Sequence, residues 1–347
     1  MDVVFEWGLT ATRWLQNTYP QMAGFWALVS EFGRFEFYLA LLPLIYWCLD
    51  KRLGTYLAYL VAVSALLNTT GKALLRNPRP YWLPEGRALG QAKEVSYGIP
   101  SGHVQSATVF YLGLAAWLHR RWLWVGALII IFLMAISRVY LGVHFVHDVV
   151  AAFILGVLVL GGHALWRRFL QEKVRHRILG QRLLLIVTVP LLVLVIYAVV
   201  LLLLGPPSPT VSWAAYSRGA EVAGMEDMAQ AVGILIGLGV GFTLETSYVC
   251  FKVEGEWWKR ALRYVVGMVV TIALWRGLAV AFEAITPDGS LWLALPLRFI
   301  RYLLLGLWVA YYAPKVFVRL KLAGSWPQTE TPFTVAGATV RNPKEPK

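Results

Sequence analysis

Residues 183–204 read LLLIVTVPLLVLVIYAVVLLLL, with no charged group from end to end. A hydrocarbon core of about 30 Å needs roughly 20 such residues in a helix. In lipid, only helices and closed barrels pair every backbone N–H and C=O. Further apolar stretches at about 35–50, 53–75, 104–118, 122–141, 146–166, 229–250, 264–284 and 291–313 read as spanning helices too. Composition agrees: charged residues make up only 15% of the chain and hydrophobic ones 58%, where a soluble domain carries about 25% charged. The predicted fold class is an all-α polytopic membrane protein.

The formal net charge is +13. In a soluble chain that would suggest nucleic acid, but here the basic residues cluster in short loops between apolar runs. Retention on the cytoplasmic side explains them, and no nucleic-acid partner is expected. With nine spans, one set of loops holds Lys51 and Arg52, Arg120 and Arg121, 167–182, 251–263, and the start of the tail. The other set, made of the N-terminal segment, 76–103, 205–228 and 285–290, is poor in Lys and Arg. The first set is expected inside and the second outside.

Residues 1–34 carry Trp7, Trp14, Phe25 and Trp26 among polar groups, the pattern of an interfacial segment. They lack a basic stretch followed by an apolar one, so no cleavable signal peptide is expected. Residues 314–347 are expected to form a cytoplasmic tail, disordered where it is polar and proline-rich. Cys48 and Cys250 imply neither a disulfide framework nor metal spacing. Gly233, Gly237 and Gly241 recur every four residues, which suits close helix packing in lipid.

Unusual polar chemistry gathers in three places on the expected outer side. In GKALLRNPRP (71–80), Pro78 and Pro80 stop the helix, leaving Lys72 on its last turns and Arg79 just beyond. Alone, this could be two basic groups snorkelling from a helix end. In YGIPSGHVQSATVF (97–110), Ser101 and Gly102 open a helix whose free N–H groups suit a phosphate, with His103 beside them. In SRVYLGVHFVHDVV (137–150), Arg138 ends one helix, and His144 and Asp148 stand four apart. If helical, they lie on one face about 6 Å apart along the axis. An aspartate there can orient an imidazole, though His147 neighbours Asp148 as well. The three places can meet at one end of a four-helix arrangement. Lys72, Arg79 and Arg138 would then suit a dianion, and two histidines with one aspartate would supply nucleophile, acid and orienting group.

Together these residues resemble the type 2 phosphatidic acid phosphatase superfamily, the lipid phosphate phosphatases. Its signature is K-x6-RP, then PSGH, then SR-x5-H-x3-D. KALLRNPRP (72–80), PSGH (100–103) and SRVYLGVHFVHD (137–148) match it without departure. The resemblance covers residues 72–148 and tests nothing after about residue 170. It implies a family-like core of five to six spans over 35–204, with about three additional helices over 205–313. It also implies phosphate hydrolysis without a metal or other cofactor. His144 would attack phosphorus and form a phosphohistidine, Asp148 would hold its ring, and His103 would protonate the leaving oxygen and later help activate water. Lys72, Arg79, Arg138, Ser101 and the Gly102 N–H would bind the phosphoryl oxygens. The pattern prefers His144 over His147. The lack of a carboxylate cluster near these residues also argues against Mg²⁺, which wants oxygen ligands.

The expected substrate is a membrane lipid phosphate or pyrophosphate reached at the outer leaflet; undecaprenyl pyrophosphate, phosphatidate and phosphatidylglycerol phosphate are candidates. Asn68-Thr69-Thr70 lies within a span, so no external glycosylation sequon is present. That points to a bacterial inner membrane with the site facing the periplasm. A phosphotransferase using the same intermediate is the alternative enzyme, and a lipid transporter or flippase the alternative from another class. In the later helices, Glu245, Arg276, Glu283, Arg298 and Arg301 lie at membrane depth. Arg298 and Arg301 share a face and could form a second anionic site. A Glu283–Arg298 ion pair is the structural alternative.

Overall fold

A computed structural model describes residues 3–286 and 290–327. Its helices are α1 (Val3–Thr18), α2 (Ala23–Glu31), α3 (Phe35–Leu49), α4 (Lys51–Leu75), α5 (102–118), α6 (Arg121–Tyr140), α7 (Val146–Phe169), the short α8 (Gln171–Arg175), α9 (Leu179–Leu204), α10 (Ala214–Val249), α11 (Trp257–Ile285) and α12 (Leu291–Arg319). Each of the nine stretches expected to span is helical. Seven are long and apolar enough to cross a membrane, and the α2–α3 pair, bent by 47°, makes an eighth if counted as one span. The ninth, α5, falls short of the roughly 20 residues an upright span needs.

Local sequence sets the ends of α4. Asp50 caps its start by accepting from the N–H groups of Arg52 and Leu53 at 2.8 and 3.0 Å. Arg76 closes it in the left-handed region (φ 45°), just before Asn77 and Pro78. Burial then sorts the spans. The most apolar windows of α10 and α4 are 72% and 56% buried inside the protein, those of α9 and α11 only 11%. α4 and α10 are therefore the two central helices, and α9 and α11 turn mostly toward lipid.

α10 and α12 approach backbone to backbone. A Cβ at Gly237 would lie 2.4 Å from the Leu303 carbonyl oxygen, and one at Gly306 2.8 Å from the Leu238 nitrogen. The four-residue glycine spacing serves this close packing.

Three differences from the sequence reading have physical causes. α10 starts at Ala214, well before 229, because its polar first turns are satisfied within the protein. Glu221 pairs with Arg76 and Glu226 with Arg298. The expected Glu283–Arg298 pair does not form. The tail expected from 314 is helical to Arg319. Beyond that, Lys252 donates to the Gly324 carbonyl and Trp326 to the Cys250 carbonyl, each at 2.8 Å. Residues 328–347 lie outside the described residues.

The two ends of the bundle differ. At one, Lys51 pairs with Glu245 at 2.7 Å. There the buried Arg263 donates to the carbonyls of Val253, Glu254 and Leu322. At the other, loop 76–101, the 141–145 turn and the first turns of α10 meet: Arg76 pairs with Glu221, and Trp82 stacks on Tyr216. Of the loops expected outside, 76–103 and 205–228 do share this end, where Arg76 also donates to the Gly205 carbonyl at 2.7 Å.

Candidate active site

Four elements bring their ends together at that second end. α4 contributes Lys72 in its last turn, and Arg79 sits in the extended segment beyond Pro78. α5 begins at Gly102, α6 ends with Arg138 near its C-terminus, and α7 starts at Val146.

Arg79 is fully buried and spends most of its donors on backbone. It donates to the carbonyls of Ser96, Val143 and Tyr97 at 2.6, 3.0 and 3.2 Å. Those bonds fix its planar fork in one orientation. Arg138 is held by the Ser30 hydroxyl of α2, so the N-terminal segment forms one wall of the site. α1 braces the same region: Gln16 donates to the carbonyls of Leu89 and Tyr140 at 2.8 and 2.6 Å.

His144 is not on a helix. It lies in the turn before α7, and Asp148 sits in the first turn of that helix. The two still meet, with Asp148 Oδ2 3.4 Å from His144 Nδ1. Asp148 is itself fixed, because Oδ2 also accepts the Phe145 N–H at 2.9 Å. Its other oxygen, Oδ1, lies 3.2 Å from Nε2 of His147. Both histidines therefore contact Asp148, but the His147 ring stacks on Phe145 and its Nε2 meets Asn77 at 2.8 Å.

On the far side of the His144 ring, Arg79 Nη1 lies 3.3 Å from Nε2. A guanidinium only donates. Nε2 therefore accepts, and the proton resides on Nδ1 toward Asp148. Burial, with the Arg79 charge beside it, holds the imidazole well below its usual range. The ring is neutral, with its lone pair on Nε2.

The residue the sequence reading missed is Glu94. Its Oε2 takes an ion pair from Arg79 at 2.9 Å, and its Oε1 takes one from Arg138. His103 Nδ1 lies 3.9 Å from Oε1, and His144 Nε2 lies 4.0 Å from Oε2. One carboxylate thus sits between two guanidinium groups with a histidine facing each of its oxygens. Glu94 lies in an irregular stretch between 90 and 101, where no periodicity or motif marks it.

The structure brings Arg79, Arg138, His103 and His144 around this anion. Lys72 stands one step back, donating to the Ser96 hydroxyl at 2.7 Å, which also receives Arg79 Nη2 at 3.2 Å. Ser101 is buried and its hydroxyl has no protein partner among the described residues. A Cβ at Gly102 would meet only Asn68 Oδ1, at 3.6 Å. Protein packing therefore leaves room for a side chain there. Arg298, engaged by Glu226 at 3.0 Å, and Arg301, donating to Tyr302 at 3.0 Å, are not part of this cluster. Two carboxylates, Glu94 and Asp148, are present, but no group of three His, Cys, Asp or Glu that could hold a metal ion occurs among the described residues.

Comparison with known proteins matches the same stretch. The family model of the PAP2 superfamily covers residues 53–175, and that of the PAP2 superfamily phosphatase transmembrane extension covers 229–325. Together they take in more than half of the chain. The chain is similar to the glucose-6-phosphatase catalytic subunit 1 of Canis lupus familiaris (29% identity, 46% of this chain, 52% of the relative). It is also similar to the lipid phosphate phosphatase delta of Arabidopsis thaliana (30%, 36% and 33%) and the sphingosine-1-phosphate phosphatase 1 of Mus musculus (30%, 38% and 32%). The chain thus spans about half the length of the first of these and a third of the other two. No solved structure matches it.

Proposed function

We propose that this chain, which belongs to the PAP2 superfamily, hydrolyses a lipid phosphate or pyrophosphate through a phosphohistidine at His144. The observation that carries the reading is the setting of the Glu94 carboxylate, an anion gripped by Arg79 and Arg138 and flanked by His144 and His103. A phosphoryl group held by the same guanidinium groups would have His144 Nε2 on one side and His103 on the other.

In the first step the Nε2 lone pair forms a bond to phosphorus while the phosphorus–oxygen ester bond breaks. His103 gives its proton to the departing oxygen, and Asp148 keeps the charged His144 ring in place. In the second step His103 takes a proton from water. The resulting hydroxide attacks phosphorus, the N–P bond breaks, and inorganic phosphate leaves. Arg79, Arg138 and Lys72 stabilise the equatorial oxygens in both steps, which is where most of the catalysis of phosphoryl transfer resides. The Ser101 hydroxyl, buried without a protein partner among the described residues, is a further donor for them.

The relatives divide by substrate: one name carries a sugar phosphate, two carry lipid phosphates. The lipid reading is favoured because a lipid-accessible bundle surrounds the site. The scarcity of Lys and Arg in the loops at this end favours the outer face, in a bacterium the periplasmic one. Phosphate release in detergent, measured across phosphatidate, undecaprenyl pyrophosphate and glucose 6-phosphate, tests both points. Release is expected from lipids, blocked by vanadate, unchanged by EDTA and absent in His144→Ala. Release from glucose 6-phosphate alone would overturn the lipid assignment, and loss on chelation would overturn the metal-free chemistry.

A further inference from the structure

Arg79 and Arg138 grip the same carboxylate, but the protein holds them differently. Arg79 is fixed by three backbone carbonyls, those of Ser96, Val143 and Tyr97. The buried guanidinium of Arg138 donates, among the described residues, to two side chains only: Nη2 to Glu94 and Nη1 to the Ser30 hydroxyl. Its Nε has no protein partner there. A phosphoryl group that displaces Glu94 therefore leaves Ser30 as the one protein group among them that orients this guanidinium. Ser30 is itself buried near the end of α2, and α2 is tied along the end of α6. Ser137, next to Arg138, donates to the Trp26 carbonyl at 2.6 Å, about one turn of α2 before Ser30. Tyr140 donates to the Tyr19 carbonyl at 2.9 Å.

Just past Ser30, the turn between α2 and α3 meets the other side of the cradle. A Cβ at Gly33 would lie 2.7 Å from Cδ2 of His103, 2.9 Å from its Cβ and 3.0 Å from its Cγ. Carbon atoms pack at about 3.5–4.0 Å, so the His103 ring rests against the bare Cα of Gly33. Any side chain at 33 must displace the ring or push the turn away. One short stretch thus touches Arg138 through Ser30 and His103 through Gly33. Both lie ahead of residue 53, where the match to the PAP2 superfamily model begins.

We propose that Ser30 and Gly33 are positioning residues for the hydrolysis. Ser30 aims Arg138 at the phosphoryl oxygens, and Gly33 seats the His103 ring so that its proton meets the departing oxygen. The N-terminal segment then sets the placement of the grip relative to the acid, the kind of alignment on which phosphoryl transfer depends. The inference rests on the phosphohistidine reading above, which gives His103 its role as acid.

The test compares two substrates with the same alkyl chain on the full chain in detergent: dodecyl phosphate and 4-dodecyl-2-nitrophenyl phosphate. A nitrophenolate departs as a stable anion, whereas an alkoxide needs a proton as it leaves, so the ratio of their kcat/KM values reads the general acid. His103→Ala is expected to lower kcat/KM for the alkyl ester about a hundredfold more than for the nitrophenyl ester. Gly33→Ala, with Gly33→Ser as a second variant, should shift the ratio the same way by about tenfold or more. Ser30→Ala should lower both values by a similar factor, leave the ratio alone and weaken vanadate inhibition about tenfold. Ser30→Thr, which keeps the hydroxyl, should restore the inhibition. Neither a ratio nor an inhibition constant depends on how much protein folds, so a general loss of folded enzyme moves neither. An unchanged ratio in both Gly33 variants, beside a shifted one in His103→Ala, would overturn the role of Gly33 and leave the hydrolase reading standing. Unchanged vanadate inhibition in Ser30→Ala would do the same for Ser30. A ratio that His103→Ala itself does not move would remove the acid assignment, and the role of Gly33 with it.

Discussion

Glu94 and a phosphoryl group cannot share the Arg79–Arg138 cradle, since both would use the same guanidinium donors. Removing the charge at 94 should therefore favour any bound oxyanion. Glu94→Gln is expected to tighten vanadate inhibition roughly tenfold, or about 1.4 kcal/mol; unchanged or weaker inhibition would mean the carboxylate does not compete. His144 gives a second residue-scale expectation. Its folded form stays neutral at pH values where an ordinary histidine, with a pKa near 6.5, would charge. As pH falls below about 6.5 the unfolded chain binds a proton that the folded chain refuses, so stability drops with acidification and rises as pH increases through that value. Thermal unfolding followed across roughly pH 5 to 7.5 should show this slope, and His144→Gln should make it shallower. Lys72, Arg79, His103, Arg138, His144 and Asp148 were legible in the sequence because motif spacing ties them to helix ends. Glu94 was not, because what places it is a tertiary ion pair reaching from an irregular loop. Asp148 shows a halfway case: its spacing from His144 suggested one helical face, while the contact is made across a helix start.

At the scale of elements, the nine apolar stretches were legible because lipid imposes length and apolarity on any span. What hydropathy does not register is polarity satisfied between helices. The first turns of α10 hold Glu221, Glu226 and Asp227, which mask its start. The partner of Arg298 is Glu226, on a helix far away in sequence, where proximity along the chain had suggested Glu283. The glycine spacing on α10 was legible in kind, and the structure identifies α12 as its partner. Gly237→Leu would set a side chain where a Cβ already lies 2.4 Å from the Leu303 carbonyl oxygen. Backbone must move to admit it, at a cost at or above the 1–3 kcal/mol typical of overpacking (order of magnitude). The variant should unfold in detergent at a clearly lower temperature. An unchanged midpoint would show that α10 and α12 are not packed backbone to backbone.

For the whole molecule, the scarcity of Lys and Arg in loops 76–103 and 205–228, which meet at the end carrying the site, makes the outer face the proposed one. Cysteine labelling checks the assignment. Ser208, in the loop before α10, and Lys173, in the short α8, are both exposed, and native Cys48 and Cys250 are buried. In intact cells an impermeant thiol reagent should modify Ser208→Cys and spare Lys173→Cys; the reverse pattern would put the site inside. The proposed hydrolysis turns on a covalent bond at one nitrogen, Nε2 of His144. The direct measurement is a rapid quench of the wild-type protein with radiolabelled lipid phosphate, then digestion and peptide mapping. An acid-labile, base-stable phosphoryl label is expected on the peptide that carries His144, missing in His144→Ala together with turnover. Phosphate release with no label on that peptide, or release that persists in His144→Ala, would contradict it.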